Sequence, residues 1–321
     1  MSSSTTEPDL QSQGEEPVGS FSRPKLCIFV HVHYLDVWDY IASTISDNVQ
    51  TPFDLVVTTT QAAAQVTPPR SDNLQNFAVH EVENRGRDIL PFLEALEMSQ
   101  PFDIGLKLHT KKSTHRQDGA EWGRAMIGSL VGKRETVDEV MRAMQANPHV
   151  GMIPAEGMML RLGYRVGANK PLMREILNAL SIKLPAGAIR EGWMAAGSMF
   201  WFRPQAISGL LTPETQEMFP PEQAQLDGTA AHAYERLFTL VGAKRGYTAF
   251  PIDRLEEFRD KSDQSLIDVR LEKTAVGGSP FVAEPVPAAA FLAKWVPAIT
   301  EFYYGLPKPI RRYSDLWLKA R

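Results

Sequence analysis

The sequence has little of what marks secreted, membrane-spanning or nucleic-acid-binding proteins. Cys27 is the single cysteine among 321 residues, which excludes a disulfide framework and fits a reducing compartment. No stretch approaches the roughly 18 consecutive apolar residues of a membrane-spanning helix. The formal net charge is −4, so the overall charge gives no reason to expect a nucleic-acid partner.

The two ends of the chain differ in composition from its middle. Residues 1–23 are polar and lack the basic and apolar regions of a signal peptide, so we expect a disordered tail and a cytoplasmic protein. Residues 276–321 are first rich in Pro and Ala, as in a linker, and then aromatic and basic. Such a tail suits the inner membrane surface, although it could equally pack onto the domain or bind a partner glycosyltransferase. The folded domain is therefore expected at 24–275.

In the middle of the chain, short apolar strands alternate with amphipathic helices. Strands are predicted at Lys25–Tyr34, Phe53–Thr59, Phe77–Val82, Asp103–Leu108, Val150–Pro154 and Ala196–Arg203. Helices are predicted at Val37–Asn48, after Asp88 as far as Met98, at Gly119–Leu130, Glu135–Ala146 and Pro171–Leu180, and within Gln223–Val241. This alternation predicts an α/β fold of the Rossmann type, with a mainly parallel sheet flanked by helices. Ligands bind such sheets beyond the carboxyl ends of the strands.

A basic segment lies at the end of the fourth predicted strand. It contains Lys107, His109, Lys111, Lys112 and Ser113. Charge-assisted hydrogen bonds from such groups would hold a diphosphate strongly, and the strand-end position favours this interpretation over a merely solvated basic loop.

The segment Asn84-Arg85-Gly86-Arg87-Asp88 follows the third predicted strand. Gly86 permits a tight turn or the close approach of a ligand to the backbone. Arg85 and Arg87 could each clamp a phosphate through two hydrogen bonds. Asp88 could cap the next helix or accept a hydrogen bond from a sugar hydroxyl. The alternative is an ordinary junction between a strand and a helix.

His31 and His33 lie on one face of the first predicted strand, because side chains alternate along a strand. Such a pair can ligate zinc, which opens an alternative function as a metal-dependent hydrolase. The sequence has no His-Glu-x-x-His motif to support this alternative. His33 could instead line a nucleotide pocket with the neighbouring Tyr34, or be a structural histidine.

Two later segments contain candidates for a sugar pocket and for a catalytic base. Trp193, Gly197, Ser198 and His232 are candidates for the sugar or acceptor pocket, since the small residues leave room for a sugar. Asp227 is a candidate general base, with Glu235 as its substitute, and both would share a face if one helix were continuous through them. Alternatively, Asp227 is an N-cap and Glu235 forms a structural ion pair with Arg236.

In their order, these segments resemble the rhamnan synthesis F family of bacterial polysaccharide proteins. The resemblance spans roughly residues 25 to 250 and rests on Asn84–Asp88, Lys107–Ser113, Gly197–Trp201, Asp227–Thr229, His232 and Glu235–Arg236. It implies a glycosyltransferase that moves L-rhamnose or a related sugar from a dTDP-linked donor. The acceptor would be a growing surface polysaccharide, such as a rhamnan or O-antigen, on a lipid carrier. A non-catalytic glycan-binding or assembly module of the same pathway is the alternative.

The same order resembles the wider GT-A fold, and one departure from that pattern bears on mechanism. Glu83-Asn84-Arg85-Gly86 matches the E-N-x-G strand end of these enzymes, whereas His109-Thr110-Lys111 stands where a D-x-D motif is expected. Carboxylates that would hold Mg²⁺ or Mn²⁺ are thus replaced by groups of opposite charge. We therefore expect a metal-independent enzyme without a cofactor, in which cationic side chains offset the charge of the leaving diphosphate. The resemblance also implies an inverting enzyme, since transfer from a β-linked dTDP-rhamnose to an α-linked product inverts the anomeric carbon.

Overall fold

The computed structural model describes residues 23–112, 118–223, 225 and 227–274. Its strands are β1 (Leu26–Val32), β2 (Phe53–Thr59), β3 (Leu74–Glu81), β4 (Ile104–His109), β5 (Val150–Pro154), β6 (Met159–Arg161), β7 (Trp193–Ala195), β8 (Phe200–Phe202) and β9 (Thr248–Ala249). Seven of these form one sheet in the order β3-β2-β1-β4-β8-β5-β9, and β6 pairs with β7 in a separate ribbon. The predicted tails lie outside the described residues.

The helices of the described residues lie between these strands or after the last of them. They are α1 (Leu35–Asn48), α2 (Ile89–Met98), α3 (Gly119–Val131), α4 (Arg134–Ala146), α5 (Lys170–Ala179), α6 (Ala188–Glu191), α7 (Pro204–Ile207), α8 (Pro213–Glu217), α9 (Ala230–Lys244), α10 (Leu255–Phe258) and α11 (Gln264–Thr274). Short 3₁₀ helices occupy Ala63–Gln65, Gly163–Asn169 and Ile252–Arg254. In this part of the chain, none of the helices combines the length and apolar character needed to cross a bilayer.

The mainly parallel α/β sheet is confirmed. Strands β1, β2, β3 and β4 are mutually parallel where they pair, and β5 is parallel to β9. Strand β8 is inserted between β4 and β5 and runs antiparallel to both. This insertion brings the turn before β8 to the carboxyl ends of the parallel strands.

Helices cover both faces of the sheet. Along β8, Phe200 and Phe202 point to one face, where they pack against Phe92 of α2. Phe200 also meets Phe238 of α9, with ring centroids 5.5 Å apart. Trp201 points to the other face and donates a hydrogen bond to the Leu130 carbonyl of α3. The alternating directions along β8 therefore place α2 and α9 on one side and α3 on the other.

Among the local predictions that differ from the structure, three bear on the site. The strand predicted at Ala196–Arg203 is shorter, because Gly197 (φ +79°) and Ser198 (φ +48°) form a left-handed turn between β7 and β8. Helix α9 begins at Ala230 with Thr229 at its N-cap position. Asp227 therefore lies outside the helix and does not cap it. Asp88 precedes α2, but its carboxylate makes no capping hydrogen bond.

Candidate functional site

A buried ion pair lies at the carboxyl end of β4. Lys107 Nζ is 2.5 Å from Asp88 Oδ2 and donates a second hydrogen bond of 2.8 Å to the Ser198 carbonyl. The Ser198 hydroxyl donates to the same Asp88 oxygen at 2.6 Å. The network joins the end of β4, the start of α2 and the turn before β8, so the three candidate segments meet at Asp88.

Burial and ion pairing shift the pKa values of the groups in this network. Burial alone raises the pKa of Asp88, but attraction to His109 and Lys107 and the hydrogen bonds from Lys107 and Ser198 outweigh burial and hold that pKa well below its usual range. Burial lowers the pKa of His109 far below its ordinary value, while attraction to Asp88 opposes that shift. Only 1% of the Lys107 side chain is exposed. These contacts favour a positioning role for Lys107 over direct binding of a diphosphate.

His109 and Thr110 are also buried. His109 Nδ1 lies 3.3 Å from Asp88 Oδ2, without the alignment of a hydrogen bond. Thr110 Oγ1 accepts hydrogen bonds from the backbone N–H groups of His33 (2.8 Å) and Tyr34 (3.0 Å). The end of β4 therefore fixes the loop after β1, which contains the predicted nucleotide-binding residues.

The two histidines near the end of β1 each bond to a threonine. His31 Nδ1 lies 3.0 Å from Thr58 Oγ1, and His33 Nδ1 lies 2.7 Å from Thr60 Oγ1. Burial lowers the pKa of His31 to about 4, which favours a neutral ring. Within the described ranges, no three His, Cys, Asp or Glu side chains are grouped so as to hold a metal ion.

Lys111 and Lys112 lie in different surroundings. Lys111 Nζ is 4.2 Å from the centre of the Trp122 ring. Burial lowers the pKa of Lys111, while attraction to Glu235 and Asp88 opposes that shift. Lys112 Nζ lies 2.6 Å from the exposed carboxylate of Asp36 and over the Tyr34 ring. Ser113 lies outside the described residues. Lys111 is close enough to Glu235 and Asp88 for their charges to act on its ammonium group.

The turn between β3 and α2 has the geometry that its glycine predicts. Gly86 (φ +68°) and Arg87 (φ +56°) are both left-handed. A Cβ on Gly86 would lie 2.5 Å from the Cβ of Leu90, so the turn needs glycine for close packing against α2.

The two arginines of this turn have different partners. Arg85 donates to the carbonyls of Phe219 (2.5 Å) and Gln216 (2.9 Å), while the Asn84 carbonyl accepts from the Glu222 N–H. Arg87 contacts Glu222 at 3.1 Å and His232 Nε2 at 3.1 Å. Arg87 therefore lies with the candidate site, whereas Arg85 anchors the chain that precedes α9.

Glu235 closes the site from α9. Its Oε1 accepts a 2.7 Å hydrogen bond from the Gly197 N–H, and its Oε2 lies 3.4 Å from Arg236 Nη1. The ion pair between Glu235 and Arg236 expected as the alternative is thus present. Ser198 is buried against Asp88, so Gly197 is the part of the turn that faces Glu235.

Trp193 is not brought to this cluster. It is 4% exposed, its ring lies beneath the guanidinium of Arg161, and its carbonyl accepts a hydrogen bond from Thr239. These contacts place it in the core between β7 and α9.

Asp227 is held by residues that the sequence analysis did not single out. Asn169 Nδ2 donates to Asp227 Oδ1 at 2.6 Å, and the Ala168 N–H donates to Oδ2 at 3.3 Å. Arg236 Nη2 lies 3.6 Å from Asp227 Oδ1, so one guanidinium approaches both candidate bases. Asn169 and Trp122 were missed because no periodicity or motif in the sequence marks them.

His232 joins the acidic and basic parts of the site. Its Nδ1 lies 2.7 Å from Thr229 Oγ1. Burial and the charge of Arg87 lower the pKa of His232, and attraction to Glu235 and Asp227 opposes that shift. The site therefore combines cations from Arg87 and Lys111 with the carboxylates of Asp227 and Glu235.

Comparison with known proteins gives a family and one group of curated relatives. The family model "Rhamnan synthesis protein F" matches residues 10–247. "Uncharacterized protein WxcX" of Xanthomonas campestris pv. campestris, from strains B100 and ATCC 33913, is 34% identical over 236 residues, which are 72% of this chain and 33% of the relative. The chain thus spans about a third of the length of these relatives.

Among solved structures, Staphylococcus aureus TarS 1–349 matches with a TM-score of 0.35 and 12% identity, covering 67% of this chain and 55% of that one. A likeness of this strength has no bearing on the activity.

Proposed function

The chain belongs to the rhamnan synthesis protein F family, and from this premise we propose that it is a glycosyltransferase of bacterial polysaccharide synthesis. The observation that carries the proposal is the site at the carboxyl ends of the parallel strands, where cations and partly exposed carboxylates meet. Transfer from a nucleotide sugar needs both: positive charge to stabilise a leaving diphosphate, and a base to accept the proton of an acceptor hydroxyl.

The donor in this proposal is dTDP-L-rhamnose or a related dTDP-sugar. Lys111 and Arg87 bind the diphosphate with help from Lys112, and His33 and Tyr34 line the nucleotide pocket. Lys107 and His109 act through Asp88, since both are buried against its carboxylate. The cationic side chain of Lys111 lies in the segment where a metal-binding D-x-D motif is expected, which supports transfer without a bridging metal.

The chemical step is a single displacement with inversion. The acceptor oxygen attacks the anomeric carbon, the bond from that carbon to the diphosphate oxygen breaks, and the proton of the acceptor hydroxyl passes to a carboxylate. Asp227 is the better base because 35% of its side chain is exposed, against 21% for Glu235. Glu235 is held on the Gly197 N–H, which suits a residue that shapes the sugar pocket with His232.

We place the protein at the inner face of the cytoplasmic membrane, where a lipid-linked glycan would be the acceptor. The basic, aromatic segment Phe291–Arg321 lies outside the described residues, and its composition supports this location. Liposome sedimentation tests it. Equal binding to anionic vesicles by the full chain and by a chain ending at Pro287 would contradict the role of the tail.

The direct test of the activity is sugar transfer by the full chain. Purified protein is incubated with dTDP-L-rhamnose and a synthetic polyprenyl-diphosphate-linked rhamno-oligosaccharide, and the product is examined by mass spectrometry for one added deoxyhexose. UDP-glucose and GDP-mannose serve as control donors. Saturating a site at 100 times the dissociation constant adds about 2.7 kcal/mol of stability, so a thermal-shift screen reports donor binding independently. Binding of a donor or of the oligosaccharide without transfer would support the non-catalytic module instead. Absence of binding to every donor tested would contradict the proposed transferase.

A further inference from the structure

The carboxylate of Asp227 lies in a cradle formed by Gly167, Ala168 and Asn169. Asn169 Nδ2 donates to Oδ1 at 2.6 Å, and the Ala168 N–H donates to Oδ2 at 3.3 Å. The two parts are about sixty residues apart in sequence. A side chain held from two directions by a distant segment has a fixed orientation, which an exposed carboxylate otherwise lacks.

Asn169 is itself immobilised by its surroundings. It is completely buried, its Nδ2 also donates to the Val166 carbonyl at 2.9 Å, and its Oδ1 accepts from the Gly228 N–H at 3.0 Å. These partners determine the positions of the oxygen and nitrogen atoms of the Asn169 amide, because the Gly228 N–H needs an acceptor and the Asp227 carboxylate needs a donor. Asn169 therefore holds both the carboxylate of Asp227 and the backbone that follows it.

Gly167 provides the space that the carboxylate occupies. Its backbone (φ +55°, ψ −138°) is one that residues with a Cβ rarely adopt. A Cβ at this position would lie 2.6 Å from Asp227 Oδ2, which is closer than van der Waals contact allows. Glycine is thus needed here for the placement of Asp227.

We propose that Asn169 is a positioning residue, which holds Asp227 so that Oδ2 faces the acceptor hydroxyl. The inference rests on the proposed function of Asp227 as the base. Oδ1 accepts the short hydrogen bond from Asn169. Among the residues that the structure describes, Oδ2 accepts one longer hydrogen bond, from the Ala168 N–H, and it retains a lone pair for the proton. A general base must lie about 2.6–3.2 Å from the group whose proton it takes, so a carboxylate free to rotate would be in place for only part of the time.

A double-mutant cycle tests this inference. Asn169→Ala is expected to lower kcat by about 10- to 100-fold, as misplacement of a catalytic group by about 1 Å does, while KM for dTDP-L-rhamnose changes by less than about twofold. If Asn169 acts through Asp227, then Asn169→Ala combined with Asp227→Asn is no slower than Asp227→Asn alone. Additive losses, or an unchanged kcat in Asn169→Ala, would overturn the inference.

The matched control for lost hydrogen bonds is Asn147→Ala. The Asn147 amide also ties two segments together through backbone atoms, donating to the carbonyls of Arg259 and Lys261 and accepting from the His149 N–H. None of these partners belongs to the candidate site, so this variant reports the effect of lower stability on kcat. An equal loss of kcat in Asn147→Ala and Asn169→Ala would contradict a positioning role.

A second pair of variants decides the matter if Asn169→Ala does not fold. Gly167→Ala displaces Asp227 directly, while Gly209→Ala introduces a Cβ at a similar left-handed φ of +63° with no atom within 4 Å. Gly167→Ala is expected to lower kcat by at least about tenfold more than Gly209→Ala, and equal effects would overturn the inference. If the wild-type chain transfers no sugar, the proposed function has failed and the inference falls with it. If the wild-type chain transfers sugar but the variants do not show the expected differences in kcat, the inference alone has failed.

Discussion

The Lys107 ammonium lies 2.5 Å from Asp88 Oδ2 with only 1% of the lysine side chain exposed. Opposite charges so deeply buried are stable only as a pair, because either one alone would lose its hydration without compensation. The Ser198 hydroxyl completes the arrangement from the turn before β8. This pair is therefore the structural centre of the site, although its lysine is enclosed by protein.

Removal of one member of this pair is expected to destabilise the fold. Lys107→Met should lower the free energy of unfolding by about 3–5 kcal/mol, since Asp88 would remain buried without its cation. Urea unfolding followed by circular dichroism measures the change. Lys112→Ala is the matched control, because its partner Asp36 is exposed and such pairs contribute little. Equal effects of the two substitutions would contradict the buried pairing.

Acidification is expected to lower the free energy of unfolding, because the fold holds the His31 ring neutral. Burial lowers the pKa of His31 to about 4, whereas a histidine in the unfolded chain has a pKa of about 6.5. Between these values the unfolded chain binds the proton and the folded chain does not, so stability is present above pH 6.5 and is lost as the pH falls toward 4. The loss from this residue approaches about 3 kcal/mol, at about 1.4 kcal/mol for each unit.

The variant His31→Asn isolates this contribution. Asparagine can still bond to Thr58 but does not titrate, so the free energy of unfolding should fall less steeply between pH 6.5 and 4 than in the wild type. Urea unfolding at several pH values in this range gives both slopes. Parallel curves would show that the fold does not hold His31 neutral.

Lys111 is expected to bind the donor in place of a metal ion. Lys111→Ala should raise the dissociation constant for dTDP-L-rhamnose by about 10- to 100-fold, because one hydrogen bond to a charged group is lost. Isothermal titration calorimetry measures it, and Lys244→Ala, which removes an exposed lysine at the end of α9, is the control. Transfer should also survive EDTA. Loss of activity on chelation, restored by Mn²⁺, would contradict this role of Lys111.

The two carboxylates are expected to differ in their effect on turnover. Asp227→Asn should lower kcat by at least about two orders of magnitude, with donor affinity near that of the wild type. An asparagine oxygen can still accept the hydrogen bond from Asn169, so the fold should persist while the base is lost. Glu235→Gln should lower kcat by a smaller factor, since the main contact of Glu235 is with the Gly197 N–H.

Single-turnover transfer by both variants, with donor binding measured separately, distinguishes their roles. If Asp227→Asn keeps a near-normal kcat while Glu235→Gln is inactive, then Glu235 is the base and Asp227 is not. Normal turnover in both would place the base elsewhere.

Much of the sheet was predictable because its signals are local. The bounds of β2 and β5 agree with the predicted strands Phe53–Thr59 and Val150–Pro154. The sequence analysis placed Asp88 and Lys107 at the carboxyl ends of two predicted strands, where ligands bind such sheets, and the two residues do contact each other. The ordered motifs also predicted the family, which the match to residues 10–247 confirms.

Strands β1 to β5, helices α1 to α5 and the family could be predicted from the sequence, because hydrophobic periodicity and short motifs are properties of neighbouring residues. Which charged groups are enclosed by protein and which are accessible to a ligand depends on the tertiary structure. Strand β8 enters antiparallel between β4 and β5, and the turn before it places Ser198 over Asp88 and seals Lys107. The Gly167–Asn169 cradle reaches Asp227 across about sixty residues of chain. Burial and hydrogen bonding between such distant segments depend on packing in three dimensions, and no local pattern in the sequence carries that information.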